Sequence, residues 1–207
     1  MFYTVQTPQF IQHLLSGLTW FLPSASGKRL YLTFDDGPIP ELTPWVLAQL
    51  KAYNAKATFF CVGANVQKHP SIYQSILDQG HAVGNHTFSH CNGWEKSANL
   101  YLEEVQQCSK FVQSNLFRPP YGKLTPRQYR RLKKQYNIIM WDVIAGDFDA
   151  RLSAQQCLEN ILNNAKSGSI VVLHDSLKAK QKLTEVLPLV LAHYQRQGYV
   201  FDSIVLP

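Results

Sequence analysis

Two short runs of this 207-residue chain bring chemically capable side chains close together. Asn85-His86-Thr87-Phe88-Ser89-His90 carries two imidazoles four residues apart. That spacing sets both on one side of a helical turn and suits metal ligation. Thr33-Phe34-Asp35-Asp36-Gly37-Pro38 carries two adjacent carboxylates at the end of an apolar run. Asp36 with His86 and His90 makes a two-histidine, one-carboxylate set that leaves coordination positions open for water and substrate. Such a set suits zinc, or iron and its divalent neighbours. A cation held this way lowers the pKa of its water from about 15.7 towards about 7. Adjacent carboxylates past a strand end point in different directions, so one can ligate while the other takes the proton. Asp-Gly-Pro is also good turn chemistry, and a turn and an active site are compatible here.

The elements that must position these groups alternate in type. Apolar, β-rich runs lie at 30–34, 57–62, 81–84, 116–118, 138–143, 169–174 and 199–203. Between them fall helix signals. Thr43-Pro44 and Thr125-Pro126 read as N-caps followed by first-turn prolines. Tyr101, Val105, Cys108 and Val112 form one apolar stripe, and Leu183, Val186, Leu187, Val190 and Leu191 form another. This alternation predicts a largely parallel sheet with helices outside. Periodicity leaves open a doubly wound sheet and an irregular barrel. In both, chemistry belongs at the C-terminal strand ends, where Asp35, Asp36, His86, His90, Arg118, Asp147 and His174 all fall.

Composition narrows the class. With 45% hydrophobic and 16% charged residues, the chain is neither disordered nor membrane-spanning; its apolar runs fall far short of the roughly 20 residues a bilayer requires. The net charge is +6, concentrated at Arg127, Arg130, Arg131, Lys133 and Lys134, which read as a solvated helix face. A patch for an anionic polymer or membrane surface is the alternative. No nucleic-acid reading motif accompanies it. Cys61, Cys91, Cys108 and Cys157 form no CxxC pair and read as free thiols. Residues 10–22 read as a short amphipathic helix ending at Pro23, and no Lys or Arg precedes Lys28, so a cytoplasmic address is expected. No linker or repeat interrupts the chain, which predicts a single domain over 1–207, with 1–28 as a helical extension packed on it.

Five motifs in order carry a resemblance: Thr33–Pro38 (TFDDGP), His86–His90 (HTFSH), Arg118–Gly122 (RPPYG), Trp141–Phe148 (WDVIAGDF) and Leu173–Asp175 (LHD). The chain resembles the polysaccharide deacetylases of carbohydrate esterase family 4. That resemblance implies an α/β fold, a distorted (β/α) barrel of about seven strands. It implies a metal-dependent hydrolase removing N-acetyl groups from an amino-sugar oligo- or polysaccharide or glycoconjugate. Asp36, His86 and His90 would hold one divalent metal: zinc, with cobalt, nickel or manganese as alternatives. Asp35 would be the base, held ionised by Arg118, and the N–H of Tyr121 would help stabilise the oxyanion. His174 would be the acid, oriented and charged by Asp147. Phe148 and Leu173 would line the acetyl pocket. Apart from the resemblance, Trp94, ahead of Phe88 and Tyr121, reads as a sugar-stacking platform, with core packing as the alternative.

The same needs follow from the chemistry, because amide hydrolysis requires an activated water, a stabilised oxyanion and a proton for the leaving nitrogen. The fourth motif departs from the family pattern: Ile144 stands where an Asp is usual, and Phe148 where a Trp is usual. Asp142 or Asp149 could replace the lost carboxylate. His13, His69, His81 and His193 read as surface or loop residues, and Cys91 could reach the metal only by turning back. Rival readings are an O-acetyl esterase or hydrolase of a non-sugar amide on the same fold, a non-catalytic saccharide-binding domain, and an iron oxygenase. The expected partner is an acetylated saccharide, with no nucleic acid, integral membrane segment or obligate protein partner.

Overall fold

The computed structural model describes residues 4–23 and 27–206. Its framework is a curled parallel sheet. The central strand β1 (Lys28–Asp35) pairs with β2 (Thr58–Cys61) on one side and β7 (Ile170–His174) on the other. Beyond β2 come β3 (Ala82–Asn85), β4 (Leu116–Phe117) and β5 (Asn137–Ile138); beyond β7 comes β6 (Val143–Ile144). β8 (Tyr199–Phe201) pairs with the start of β1. Sheet and helices together form the distorted α/β barrel that the resemblance implies.

The pleat divides each strand between two environments. In β1, Leu30, Leu32 and Phe34 enter the main core beneath the helices, while Thr33 and Asp35 lie on the barrel's inner face. Against that core pack α2 (Thr43–Ala52), α7 (Ala154–Leu162) and α8 (Lys180–Arg196), the last through Leu183, Val186, Leu187, Val190 and Leu191. α5 (Ala98–Ser109) is capped by Ser97, and α6 (Pro126–Leu132) by the expected Thr125 in a reciprocal capping box with Gln128. Two further helices, α3 (Gly63–Lys68) and α4 (Pro70–Asp78), connect β2 to β3. Cys61, Cys91, Cys108 and Cys157 are free thiols. Among the described residues no helix is long and apolar enough to cross a membrane.

Four local expectations need correcting. The run 138–143 is not one strand: β5 ends at Ile138 and β6 begins at Val143, on opposite edges of the sheet. Residues 139–142 cross the gap: Ile139 N bonds to Phe117 O and Asp142 N to Ile170 O at its two edges, while Met140 N bonds to Thr19 O and Asp142 O accepts from Thr7 N of the N-terminal segment. Residues 10–22 are not one helix either. α1 covers Gln9–Leu14 and stops before Gly17, where a Cβ would lie 1.9 Å from the Tyr129 hydroxyl oxygen. Thr43 caps nothing, because Leu42 takes the N-cap position and the Thr43 hydroxyl donates to Asp175. His81 is buried, accepts a hydrogen bond from Ala57 N–H and packs edge-on against Phe59; burial lowers its pKa to about 4.

Candidate active site and metal-ligand cluster

Strand register assembles the site. Asp35 lies opposite His174 where β1 and β7 end together, and Asn85 at the end of β3 lies opposite Phe117. His86 and Arg118 are therefore the next residues of neighbouring strands, and Arg118 N–H bonds to Asn85 O. Asp35, His86 and His174 face one cleft of about 930 Å³.

Asp36, His86 and His90 form a cluster whose ligand atoms lie within 4.8 Å of one another. The spacing works for a different reason from the one expected. Residues 86–90 are a loop, with Thr87 at φ 62° and His90 at φ 56°, and these left-handed residues fold the rings to 5.0 Å between centroids. The His86 Nδ1–H donates to Arg118 O at 2.7 Å, which turns Nε2 towards Asp36. Asp36, at φ 84°, is presented by a turn whose carbonyl accepts from the Asn65 amide. Its Oδ1 lies 3.1 Å from His90 Nε2 and 3.8 Å from His86 Nε2, yet it is buried without a hydrogen-bond partner. An orphaned carboxylate oxygen beside two imidazole nitrogens fits a divalent cation, the one partner all three donors share. Burial opposes ionisation of Asp36, but the surrounding histidines outweigh it and hold its carboxyl well below the usual range. Burial also lowers His86 to about 4, keeping its imidazole neutral, as ligation requires. Cys91 lies outside this cluster and packs against the smaller core of Trp20, Tyr101 and Met140.

Asp35 and Arg118 form a buried ion pair at 2.7 Å. The guanidinium also donates to the Thr33 hydroxyl and to the carbonyls of Ile139 and Met140, and it lies 4.0 Å from the Phe60 ring centre. Main-chain oxygens and Thr33 thus satisfy the guanidinium alongside Asp35. Neither suggested substitute takes part: Asp142 accepts from Gln12 and the Ser169 hydroxyl, and Asp149 pairs with Arg151. Ile144 instead presents an apolar side chain to the cleft.

At the end of β7, beside Asp35, the His174 Nδ1–H donates to Asp147 Oδ1 and its main-chain N–H to Asp147 Oδ2, both at 2.8 Å. Burial disfavours the imidazolium, but Asp147, then Asp36 and Asp35, raise its pKa to about 9. Phe148 meets the His174 ring edge-on at 5.0 Å and lines the cleft. Leu173 does not line it. The strand pleat sends Leu173 into the main core, and the residue two before His174, Val172, faces the cleft in its place. Tyr121, at φ 60°, stands edge-on to His90, and Trp94 is 65% exposed on the rim, 5.0 Å from Lys123 Nζ.

Asp175 is the residue the sequence reading left without a role. Fully buried, it accepts from Gly37 N–H and from the Thr43 hydroxyl, and its own N–H bonds to Asp35 O. It thereby ties the end of β7 to the turn that presents Asp36. A Cβ on Gly37 would lie 2.0 Å from Asp175 Oδ2, so that turn requires glycine. Burial, opposed by these donors, raises the Asp175 pKa to about 8. The quoted LHD motif held the signal, but only the fold shows what Asp175 touches.

A family model described as polysaccharide deacetylase matches residues 23–141. A peptidoglycan-N-acetylglucosamine deacetylase from Bacillus cereus is 34% identical over 194 residues, covering 90% of this chain and 91% of its own. A chitooligosaccharide deacetylase from Azorhizobium caulinodans is 34% identical over 156 residues, covering 72% and 74%. Among solved structures, the peptidoglycan N-acetylglucosamine deacetylase Bc1960 superposes with a TM-score of 0.87 at 30% identity, covering 96% of this chain and 95% of its own. A match over more than half of the chain, the barrel and this run of relatives agree with the motifs: the chain belongs to the polysaccharide deacetylase family, carbohydrate esterase family 4.

Proposed function

We propose that this chain, as a single catalytic domain, hydrolyses N-acetyl groups on an amino-sugar oligo- or polysaccharide. The observation that carries the reading is that Asp35, paired with the buried Arg118, and His174, paired with the buried Asp147, face the same cleft as the Asp36–His86–His90 cluster. Relatives that act on peptidoglycan N-acetylglucosamine and chitooligosaccharides support it.

Asp36, His86 and His90 would hold one divalent cation, zinc before cobalt, nickel or manganese. Bound there, the cation would supply Lewis acidity, acidifying water and favouring negative charge on the acetamide oxygen. Asp35 accepts the proton of the attacking water, with Arg118 fixing the carboxylate's direction. The Tyr121 N–H donates to the carbonyl oxygen as charge develops on it. His174 gives its Nε2 proton to the departing nitrogen, and Asp147 keeps that proton available at neutral pH. Phe148, Ile144 and Val172 enclose the acetyl methyl on apolar surface.

Metal content tests the ligand set. Elemental analysis of purified protein should find one divalent ion per chain, and His86→Ala should lose most of it. Retention of metal in that variant contradicts the assignment. The bond cut is tested by matched N-acetyl and O-acetyl sugars of equal length. A protonated His174 matters most for an amine, which leaves poorly, so kcat/KM should favour the acetamide. A much higher kcat/KM on the ester would replace this reading with that of an O-acetyl esterase.

A further inference from the structure

Residues 1–27 contain no Asp, Glu, Lys or Arg, and the helix within them carries apolar side chains on its outside. On α1, Phe10, His13 and Leu14 share one face through their i, i+3 and i+4 spacing. Phe10 is 70% exposed and Leu14 79%, and Leu15, just past the helix, is 45% exposed. The other side of α1 does the packing. Ile11 joins the smaller core of Trp20, Leu132 and Met140, and Gln12 donates to Thr7 O and to the Asp142 carboxylate. Single exposed apolar residues are ordinary, but three so close together on one anchored element mark a contact surface.

Next to this surface lie the cations of α6 and the turn after it: Arg127, Arg130, Arg131, Lys133 and Lys134, all exposed. Helix stability accounts for only some of them. Arg130 and Arg131 in the last turn favour the helix dipole, but Arg127 in the first turn opposes it, and no acid there offsets it. Among the described residues none of the five pairs with a carboxylate, and Arg131 donates to the Asn99 side chain instead. Glu103 is the one acid lining the adjoining hollow between α5 and α6. Tyr129 of α6 joins the apolar surface to the basic one. A Cβ on Gly17, just past α1, would lie 1.9 Å from the Tyr129 hydroxyl oxygen, and Lys133 Nζ lies 5.2 Å from the Tyr129 ring centre.

The combination selects the occupant. An anionic polymer would use the cations and gain nothing from Phe10 and Leu14. A second copy of the chain carries the same net charge of +6 and is repelled. An anionic phospholipid surface uses both, its phosphates meeting the cations and its acyl region taking the apolar side chains. We infer that α1 and α6 together form a peripheral docking surface for an anionic phospholipid bilayer, with Phe10, Leu14 and Leu15 entering the interface and the five cations over the headgroups.

The experiment sediments the full chain with vesicles of phosphatidylcholine alone and of phosphatidylcholine mixed equally with phosphatidylglycerol, with melting curves for every variant. Wild type should bind the mixed vesicles about tenfold or more tightly than the neutral ones. The triple variant Arg127→Gln, Arg130→Gln, Lys134→Gln should bind them about 100-fold more weakly at low salt, on the scale of about fivefold per cation. The double variant Phe10→Ser, Leu14→Ser should lose about tenfold or more and bind with a steeper salt dependence, because only screened charges then hold it. Phe10→Trp reads the contact without removing it: its added emission should shift to the blue on mixed vesicles, and an unshifted spectrum overturns the inference. Wild-type binding that is no tighter to mixed than to neutral vesicles also overturns it. So does a folded double variant that binds as wild type does while long-chain polyphosphate displaces both, because the surface then takes an anionic polymer. Self-association of wild type that the double variant abolishes, without vesicle binding, assigns the apolar residues to a second copy and overturns it too. Vesicle binding is read without turnover, so its failure leaves the proposed de-N-acetylation untouched.

Discussion

Replacing Asp35 by Asn is expected to lower turnover about 10²–10⁴-fold, the usual contribution of a positioned acid–base group, while leaving the metal in place. The amide oxygen can still accept from Arg118, but it cannot take a proton from water. The geometry separates the two consequences, because Asp35 is not among the clustered ligand atoms and Asp36 is. A stability cost should accompany the loss. Among the described residues Asp35 is the one carboxylate paired with Arg118, whose side chain is fully buried. Stripping one charge from such a pair typically costs about 3–5 kcal/mol. Melting curves, metal analysis and single-substrate kinetics on the same preparation separate folding, ligation and chemistry. A folded, metal-loaded Asp35→Asn protein with near-normal turnover would remove Asp35 from the chemistry.

The second large effect belongs to His174. His174→Ala should cost a similar factor on acetamides and much less on an activated acetate ester, whose leaving group needs little protonation. Asp147→Asn gives the finer test through pH. A general acid works in its protonated form, so activity falls as pH rises through its pKa. Asp147 raises that pKa against the opposing effect of burial, so removing its charge should move the descending limb of the kcat/KM profile to lower pH. The limbs report a coupled site, so the shift between proteins is the quantity to compare. A descending limb that stays in place in Asp147→Asn would show that another group sets it.

The sequence reads well where chemistry depends on order along a strand and poorly where it depends on what closes in space. Asp35, Arg118 and His174 were legible because each ends an apolar run and a parallel sheet aligns such ends. The pairing of His86 with His90 was legible as spacing, but its cause was not. Left-handed backbone at Thr87 and His90, neither of them glycine, gives no local signal. Leu173, which the resemblance implies as a pocket residue, faces the main core because neighbours in a pleated strand point to opposite faces, and Val172 takes the cleft side. The break at 139–142 was hidden because these residues are as apolar as a strand. They bridge β4 and β7 rather than form one strand, and Thr7 and Thr19, more than a hundred residues earlier, take the hydrogen bonds of Met140 N, Trp141 O and Asp142 O. Asp175 shows the same limit, since its partners Gly37 and Thr43 are distant in sequence.

The most direct test of the account is acetate release from an N-acetylglucosamine oligosaccharide, measured before metal removal, after it, and after zinc or cobalt is returned. The account predicts acetate and free amine in equal amounts, loss of turnover on chelation, and recovery on adding metal that fails in His86→Ala. Full acetate release by protein shown by elemental analysis to be metal-free would contradict it.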